Sequence, residues 1–192
     1  MEKAKLKDDF PVVMVGGSAG SLEVVTAMLG ELSNTRVAIV LIIHRKGSIY
    51  SSLADVLNVK TRAVVKEAEE KEFIRPGYVY IAPADYHLLI ERDGSFSLDY
   101  SEKINFSRPS IDVSFECAAD VFGSRVTGIL LSGGNADGVA GLKSIRRAGG
   151  KCIVQSPGSA LVSYMPMHAL SELKPDKTLD SAEIADYVNG IP

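Results

Sequence analysis

The sequence predicts an α/β fold: a doubly wound, mostly parallel sheet with helices on both faces and a small antiparallel β-meander insertion. Three observations predict it. Strand-type and helical periodicities alternate in both the first and the last third of the chain, the pattern of βαβ units. Residues 37–43 are apolar at every position, as in a strand buried on both faces. Between those outer thirds lie three short strand-type runs divided by turn formers.

The elements follow in order. Residues 12–15 read as a strand, and a Gly-rich turn then leads into a helix over 21–32. A branched apolar strand covers 36–43, a second helix 50–57 and a third strand 62–65, a β, α, β, α, β order in which right-handed crossovers follow. Residues 66–72 are rich in Lys and Glu and read as a solvated connection. The runs 78–81, 87–90 and 95–98 form the meander, with Pro83 and the hairpin-type pair Asp93-Gly94 between them. Arg108-Pro109-Ser110-Ile111-Asp112 opens a helix to about residue 122, with proline tolerated in its first turn. A strand over 126–131, a helix over 137–147 and a strand over 151–154 restore the α/β pattern. Two helices near 160–170 and 181–189 close it. The expectation is one domain over residues 11–192 behind a tail of residues 1–10.

Composition narrows the function classes. With 46% hydrophobic and 23% charged residues, the chain has the profile of an average folded domain and not that of a disordered or fibrous one. Its 21 basic and 24 acidic residues leave a formal charge of −3, without the basic footprint of a nucleic-acid or anionic-membrane binder. The longest apolar run, seven residues, is far short of the roughly 20 that a spanning helix needs. Residues 1–9 carry no apolar core of a secretory signal. Two cysteines in unrelated contexts and three histidines argue against a disulfide framework or a Cys/His zinc site. Cys117 and Cys152 read as small buried hydrophobes, and His87 and His168 as structural or surface groups. A cytoplasmic, metal-poor protein is expected.

Open α/β sheets bind ligands beyond the C-terminal ends of their strands. Three such ends hold distinctive residues. Gly16-Gly17-Ser18-Ala19-Gly20 satisfies the G-x-S-x-G form of a nucleophile elbow in a strand-to-helix context. His44 lies 44 − 18 = 26 residues on, at the end of the next strand. Imidazole, mostly neutral at pH 7, suits the base that a serine nucleophile requires. Asp137, after the strand over 126–131, could orient that base as the third member of a triad. Each residue also has a plainer reading: a phosphate-cradling turn, a structural histidine and a helix cap. The order Ser, His, Asp differs from the Ser, Asp/Glu, His order of α/β-hydrolases and disfavours a lipase-like fold. A dinucleotide site is disfavoured too. Only Gly16 of the three fingerprint positions is glycine, and the second strand ends in His44-Arg45 instead of an acid.

Several motifs in order resemble the catalytic domain of the chemotaxis protein-glutamate methylesterase (CheB) family. They are Val15-Gly16-Gly17-Ser18-Ala19-Gly20, Ile43-His44-Arg45, Gly77-Tyr78-Val79-Tyr80-Ile81-Ala82-Pro83, His87-Leu88-Leu89, Arg108-Pro109-Ser110-Ile111-Asp112, Ser132-Gly133, Asp137-Gly138-Val139-Ala140-Gly141 and Met165-Pro166. The resemblance runs from about residue 11 to 170. It implies hydrolysis of γ-glutamyl methyl esters on the cytoplasmic helices of chemoreceptors and, in some members, deamidation of receptor glutamines. It implies Ser18 as nucleophile, His44 as base and Asp137 as orienting acid, with no metal or organic cofactor. Oxyanion donors are expected from the Ala19 N–H and one N–H of Gly133, Gly134 or Asn135, and Arg108 is a candidate for lining the cleft against an acidic receptor surface. The partners implied are a methylated chemoreceptor cytoplasmic domain and a separate regulatory protein, with no nucleic acid and no membrane insertion.

The chain departs from the family pattern in places. Ser21 stands for a glycine, Gly134-Asn135 for Met-Gly, Ser156-Pro157 for an acidic pair, and Tyr164 for a glycine before Met165-Pro166. Ten residues before Pro11 leave no room for the phospho-receiver domain that members commonly carry, so a stand-alone catalytic domain is expected. Two other readings stay open: a non-catalytic receptor- or partner-binding module on the same fold, and an esterase or amidase for another carboxyl derivative.

Overall fold

A computed structural model describes residues 9–45 and 53–192. Its centre is a seven-stranded parallel sheet. The strands are β1 (Val12–Gly17), β2 (Ala38–Ile43), β3 (Val64–Glu67), β4 (Tyr78–Ile81), β7 (Val126–Leu130), β8 (Lys151–Gln155) and β9 (Lys177–Leu179). They lie side by side as β3-β4-β2-β1-β7-β8-β9. The remaining strands, β5 (His87–Ile90) and β6 (Phe96–Asp99), pair antiparallel as a separate hairpin. The helices are α1 (Ser21–Gly30), α2 (Leu53–Asn58), α3 (Ile111–Phe122), α4 (Val139–Arg147), α5 (Tyr164–Glu172) and α6 (Ile184–Asn189).

Strand alternation explains why the central strands carry no polar face. Val12 and Met14 enter one hydrophobic cluster, with Ile111, Phe115, Leu142 and Met165 from α3, α4 and α5. Val13 and Val15 enter the other, with Val25 and Leu29 of α1, Leu57 of α2 and Val188 of α6. Both faces of the sheet are therefore covered, and every residue of β1 and β2 is buried.

The chain grows from β1 outward through β2 on one side and returns through β7 on the other. Strand order thus reverses between β1 and β7, the topological switch point at which open α/β sheets place ligands. The register fixes what meets there. Gly17 pairs with Ile43 and Gly16 with Leu130, so the residues that follow β1, β2 and β7 emerge at one rim.

Several expectations are corrected. The run 78–81 is not the first strand of a meander: β4 lies in the parallel sheet between β2 and β3. Its residues Val79, Tyr80 and Ile81 are buried on alternate faces, and that continuous burial distinguishes it from a one-sided antiparallel strand. The insertion reduces to the β5–β6 hairpin around Asp93-Gly94. Lys66 and Glu67 belong to edge strand β3 instead of a solvated connection. Pro109 precedes the Ser110 N-cap of α3 and lies outside its first turn. Phe10, expected in the tail, is buried against Phe122. β9 is an unanticipated strand, too short and polar to leave a periodic signal. Residues 1–8 of the expected tail and 50–52 of the expected second helix lie outside the described residues.

Candidate active site

Ser18 follows β1 directly and stands three residues before the start of α1. Its N–H donates to the Ser132 carbonyl (2.9 Å), which ties the end of β1 to the loop after β7. Ser132 reinforces that tie: its Oγ donates to the Ala19 carbonyl (2.7 Å) and accepts from the Val162 N–H (2.9 Å). The turn closes through Gly20 at φ +81°, where a side chain would lie 2.5 Å from Leu161 Cβ, so glycine is required on both conformational and steric grounds. Ser18 itself is not among the residues with positive φ. The left-handed conformation of this strand-to-helix turn falls on Gly20, two residues later.

His44 is set by β2. Its N–H donates to the Gly17 carbonyl (3.0 Å), placing it beside Ser18 at the adjacent strand end. Its Nε2 lies 2.8 Å from Asp137 Oδ2. An ionised carboxylate only accepts, so Nε2 carries the hydrogen and Nδ1 presents a lone pair. That nitrogen faces Ser107 Oγ (3.3 Å) and Asn135 Nδ2 (3.4 Å). Among the described residues Ser18 Oγ makes no hydrogen bond, so the direct Ser18–His44 bond is not formed.

Asp137 is fully buried and accepts from four groups. Besides His44, these are Ser110 Oγ (3.0 Å), the Ile111 N–H (2.7 Å) and the Asp112 N–H (2.9 Å). The last two are free donors of the first turn of α3, whose positive end favours an anion. Burial works to raise the Asp137 carboxyl, but the bonds from His44, Asp112 and Ile111 outweigh it and hold the group below its ordinary range. The plainer alternative weighed for Asp137, a cap of its own helix, does not hold. α4 begins at Gly138 without a side-chain cap, and Asp137 instead serves the N-terminus of α3.

The service is returned. Asp112 Oδ1 accepts from the N–H groups of Gly138 (2.9 Å) and Gly141 (2.8 Å) at the start of α4. Two helices are thus capped crosswise by each other's aspartates. Burial first, and the nearby Asp137 charge, push the Asp112 carboxyl up to about 6 against the lowering bonds from Gly141 and Gly138.

The remaining expected residues divide. Ala19, Gly134 and Asn135 have backbone N–H groups that meet no acceptor among the described residues, whereas the Gly133 N–H is taken by the Val162 carbonyl (3.1 Å). Gly133 is therefore removed from the oxyanion candidates. Arg108 donates to the carbonyls of Tyr100 (3.0 Å) and Ser101 (2.7 Å) and stacks on the Tyr100 ring, so its guanidinium does not join the cluster around His44. His87 is structural, accepting from the Ser110 N–H at Nδ1 and donating from Nε2 to the Glu102 carbonyl. Cys152 is buried and Cys117 half-buried.

Ser107, Ser110 and Asp112 were missed as site residues. Ser110 and Asp112 had a signal, since Ser followed by an acid in the first turn marks a capped N-terminus. Ser107 had none, because its contact with His44 spans 63 positions.

Comparison with known proteins agrees with this architecture. The profile described as CheB methylesterase matches residues 13–188. The chain belongs to the CheB methylesterase family. It is 39% identical over 183 residues to a putative protein-glutamate methylesterase/protein-glutamine glutaminase of Leptospira interrogans, covering 93% of both chains. It is 37% identical over 174 residues to a protein-glutamate methylesterase/protein-glutamine glutaminase of Cupriavidus metallidurans, covering 89% of this chain and 49% of that one. The crystal structure of the Thermotoga maritima CheB methylesterase catalytic domain superimposes with a TM-score of 0.90 at 31% identity. The match covers 95% of this chain and 98% of that one. The CheB fold and its hydrolase class are thus those of this chain, and no helix among the described residues is long and apolar enough to cross a membrane.

Proposed function

We propose that this chain is a serine hydrolase that removes methyl esters from glutamyl side chains on the cytoplasmic helices of chemoreceptors, with glutamine deamidation as a related reaction. The carrying observation is the buried His44–Asp137 pair held at the strand end beside Ser18. Ser18 Oγ attacks the ester carbonyl while His44 Nδ1 takes its proton, and the Asp137 carboxylate stabilises the imidazolium. His44 returns the proton to the methoxy oxygen, the C–O bond breaks, and methanol leaves. Water, deprotonated by the same nitrogen, then hydrolyses the glutamyl-enzyme to the free carboxylate and restores Ser18. Oxyanion donors are the N–H of Ala19 with that of Gly134 or Asn135, the groups left without acceptors. Hydrogen bonds of this kind are often open in unliganded enzymes and close with substrate. No metal or organic cofactor takes part, and the reaction takes place in the cytoplasm with the methylated receptor domain as partner.

One observation favours a second reading. Nδ1 of His44 is already engaged by Ser107 and Asn135, and Ser18 Oγ has no hydrogen-bond partner among the described residues, as in a module that binds receptor without turnover. Methanol release from methylated receptor separates the two. The proposal expects turnover in the wild-type chain and a loss of several orders of magnitude in Ser18→Ala, with circular dichroism unchanged. Equal release by both proteins would reject it, and tight receptor binding without release would favour the binding module.

A further inference from the structure

We infer that Asn135 is a specificity-determining residue that favours an ester leaving group over an amide one; the inference rests on the acyl-transfer reading above. Its carboxamide cannot turn freely. Oδ1 accepts from the Asp137 N–H two residues on (3.2 Å), which assigns Oδ1 as the oxygen and leaves Nδ2 aimed at Ser107 Oγ (3.1 Å) and His44 Nδ1 (3.4 Å). The side chain is half-buried, with its amide hydrogens at the rim where substrate arrives.

The chemistry of the reaction says what those hydrogens meet. The imidazole nitrogen that takes the nucleophile's proton must hand it to the leaving atom, so that atom comes within hydrogen-bond reach of Nδ1. Groups now within 3.4 Å of Nδ1 therefore flank the leaving atom in the tetrahedral intermediate. A methoxy oxygen there has two lone pairs. One receives the proton from His44 as the C–O bond breaks and methanol departs; the other accepts from Asn135 Nδ2. An amide nitrogen in the same place has one lone pair, which receives the proton as the C–N bond breaks and ammonia departs. Its two N–H groups then confront the amide hydrogens of Asn135, donor against donor. Ser107 Oγ can accept from one of them, which leaves one mismatch. A single unmatched hydrogen-bonding group at a reaction centre shifts selectivity on the order of tenfold.

The test uses one peptide carrying a γ-glutamyl methyl ester, a glutamine or a γ-glutamyl S-methyl thioester at the same position. The thioester is the activated control, because its sulfur is a weak acceptor. Release of methanol, ammonia and methanethiol is followed for the wild-type chain, Asn135→Ala and Ser18→Ala. Asn135→Ala also breaks the bond to the Asp137 N–H, and a weaker His44 acid slows the amide at least as much as the ester while sparing the thioester, whose leaving group needs little protonation; the ester-to-amide ratio therefore carries the test. The expected result is an ester-to-amide kcat/KM ratio about tenfold lower in Asn135→Ala, whereas a weakened His44 alone would lower ester against thioester without lowering ester against amide. An ester-to-amide ratio that is unchanged or higher, with turnover still abolished by Ser18→Ala, overturns the role of Asn135 and leaves the hydrolase reading standing. No methanol release by the wild-type chain overturns both.

Discussion

The two ends of the candidate triad are built in opposite ways. At the Asp137 end every lone pair is placed: four donors converge on a carboxylate with no solvent exposure, and two of them belong to the first turn of a helix. At the Ser18 end, among the described residues, the hydroxyl makes no hydrogen bond and the nearby N–H groups of Ala19, Gly134 and Asn135 meet no acceptor. The difference has a physical reason. An unpaired buried charge costs several kcal/mol, so the fold must satisfy the acid before any substrate arrives. Partly exposed hydroxyl and N–H groups are satisfied by water and lose little by waiting. The fold therefore completes the electrostatic half of the site and leaves the other half for substrate to complete.

The largest expected effect breaks the completed half. Asp137→Asn keeps the shape but replaces one acceptor oxygen with an N–H2 that faces the donors of Ser110, Ile111, Asp112 or His44. Ester turnover should fall about 10⁴-fold, the scale of losing the orienting carboxylate in a serine triad. Denaturant unfolding should also show a loss of about 1–3 kcal/mol, because buried donors of α3 go unmatched. A variant that loses activity but no stability would mean that the carboxylate serves His44 alone and that α3 does not depend on it.

The open half should respond to crowding rather than to charge. A Cβ on Gly133 would lie 2.5 Å from Met165 Cε and 3.1 Å from Ser18 Cβ, in the loop that holds Ser18. Met165 is fully buried, so its thioether end can retreat only by displacing its packed neighbours. Gly133→Ala should cost about 1–3 kcal/mol of stability and lower kcat by tenfold or more through displacement of Ser18. Binding of methylated receptor should survive. Normal kcat would show that the Ser18 position is less dependent on this loop than the contacts indicate.

How much of this was legible in the sequence follows the same division. The doubly wound fold could be read because β1 and β2 are apolar without interruption and β1 runs into a Gly-rich turn. Ser18, His44 and Asp137 could be nominated because strand ends at a switch point carry function. What could not be read is any relation that depends on which helix end faces which loop. Asp137 looks like a cap for α4 in one dimension, and only the packing of α3 against α4 reveals that it caps the other helix. Likewise β4 has the length and flanks of a meander strand, and its neighbours are settled by burial on both faces.

The smallest expected effect tests the crosswise caps through pH. Burial and the Asp137 charge raise the Asp112 carboxyl from an ordinary 3.8 to about 6 in the folded chain. A carboxyl raised by folding contributes stability that is fully present below its unfolded pKa and is lost as pH rises through the folded one. Between pH 4 and pH 6.5 the wild-type chain should lose about 2 kcal/mol from this group, the order set by a shift of about two pKa units. Asp112→Asn retains an acceptor for the Gly138 and Gly141 N–H groups but has no proton to lose. Its stability relative to wild type should accordingly improve across that window, and urea unfolding at a series of pH values reads the difference. Parallel curves would mean that Asp112 ionises as easily in the folded chain as in the unfolded one. In that case the N–H groups of α4 hold its charge as fully as those of α3 hold that of Asp137, and the two caps are equals instead of a satisfied acid and a strained one.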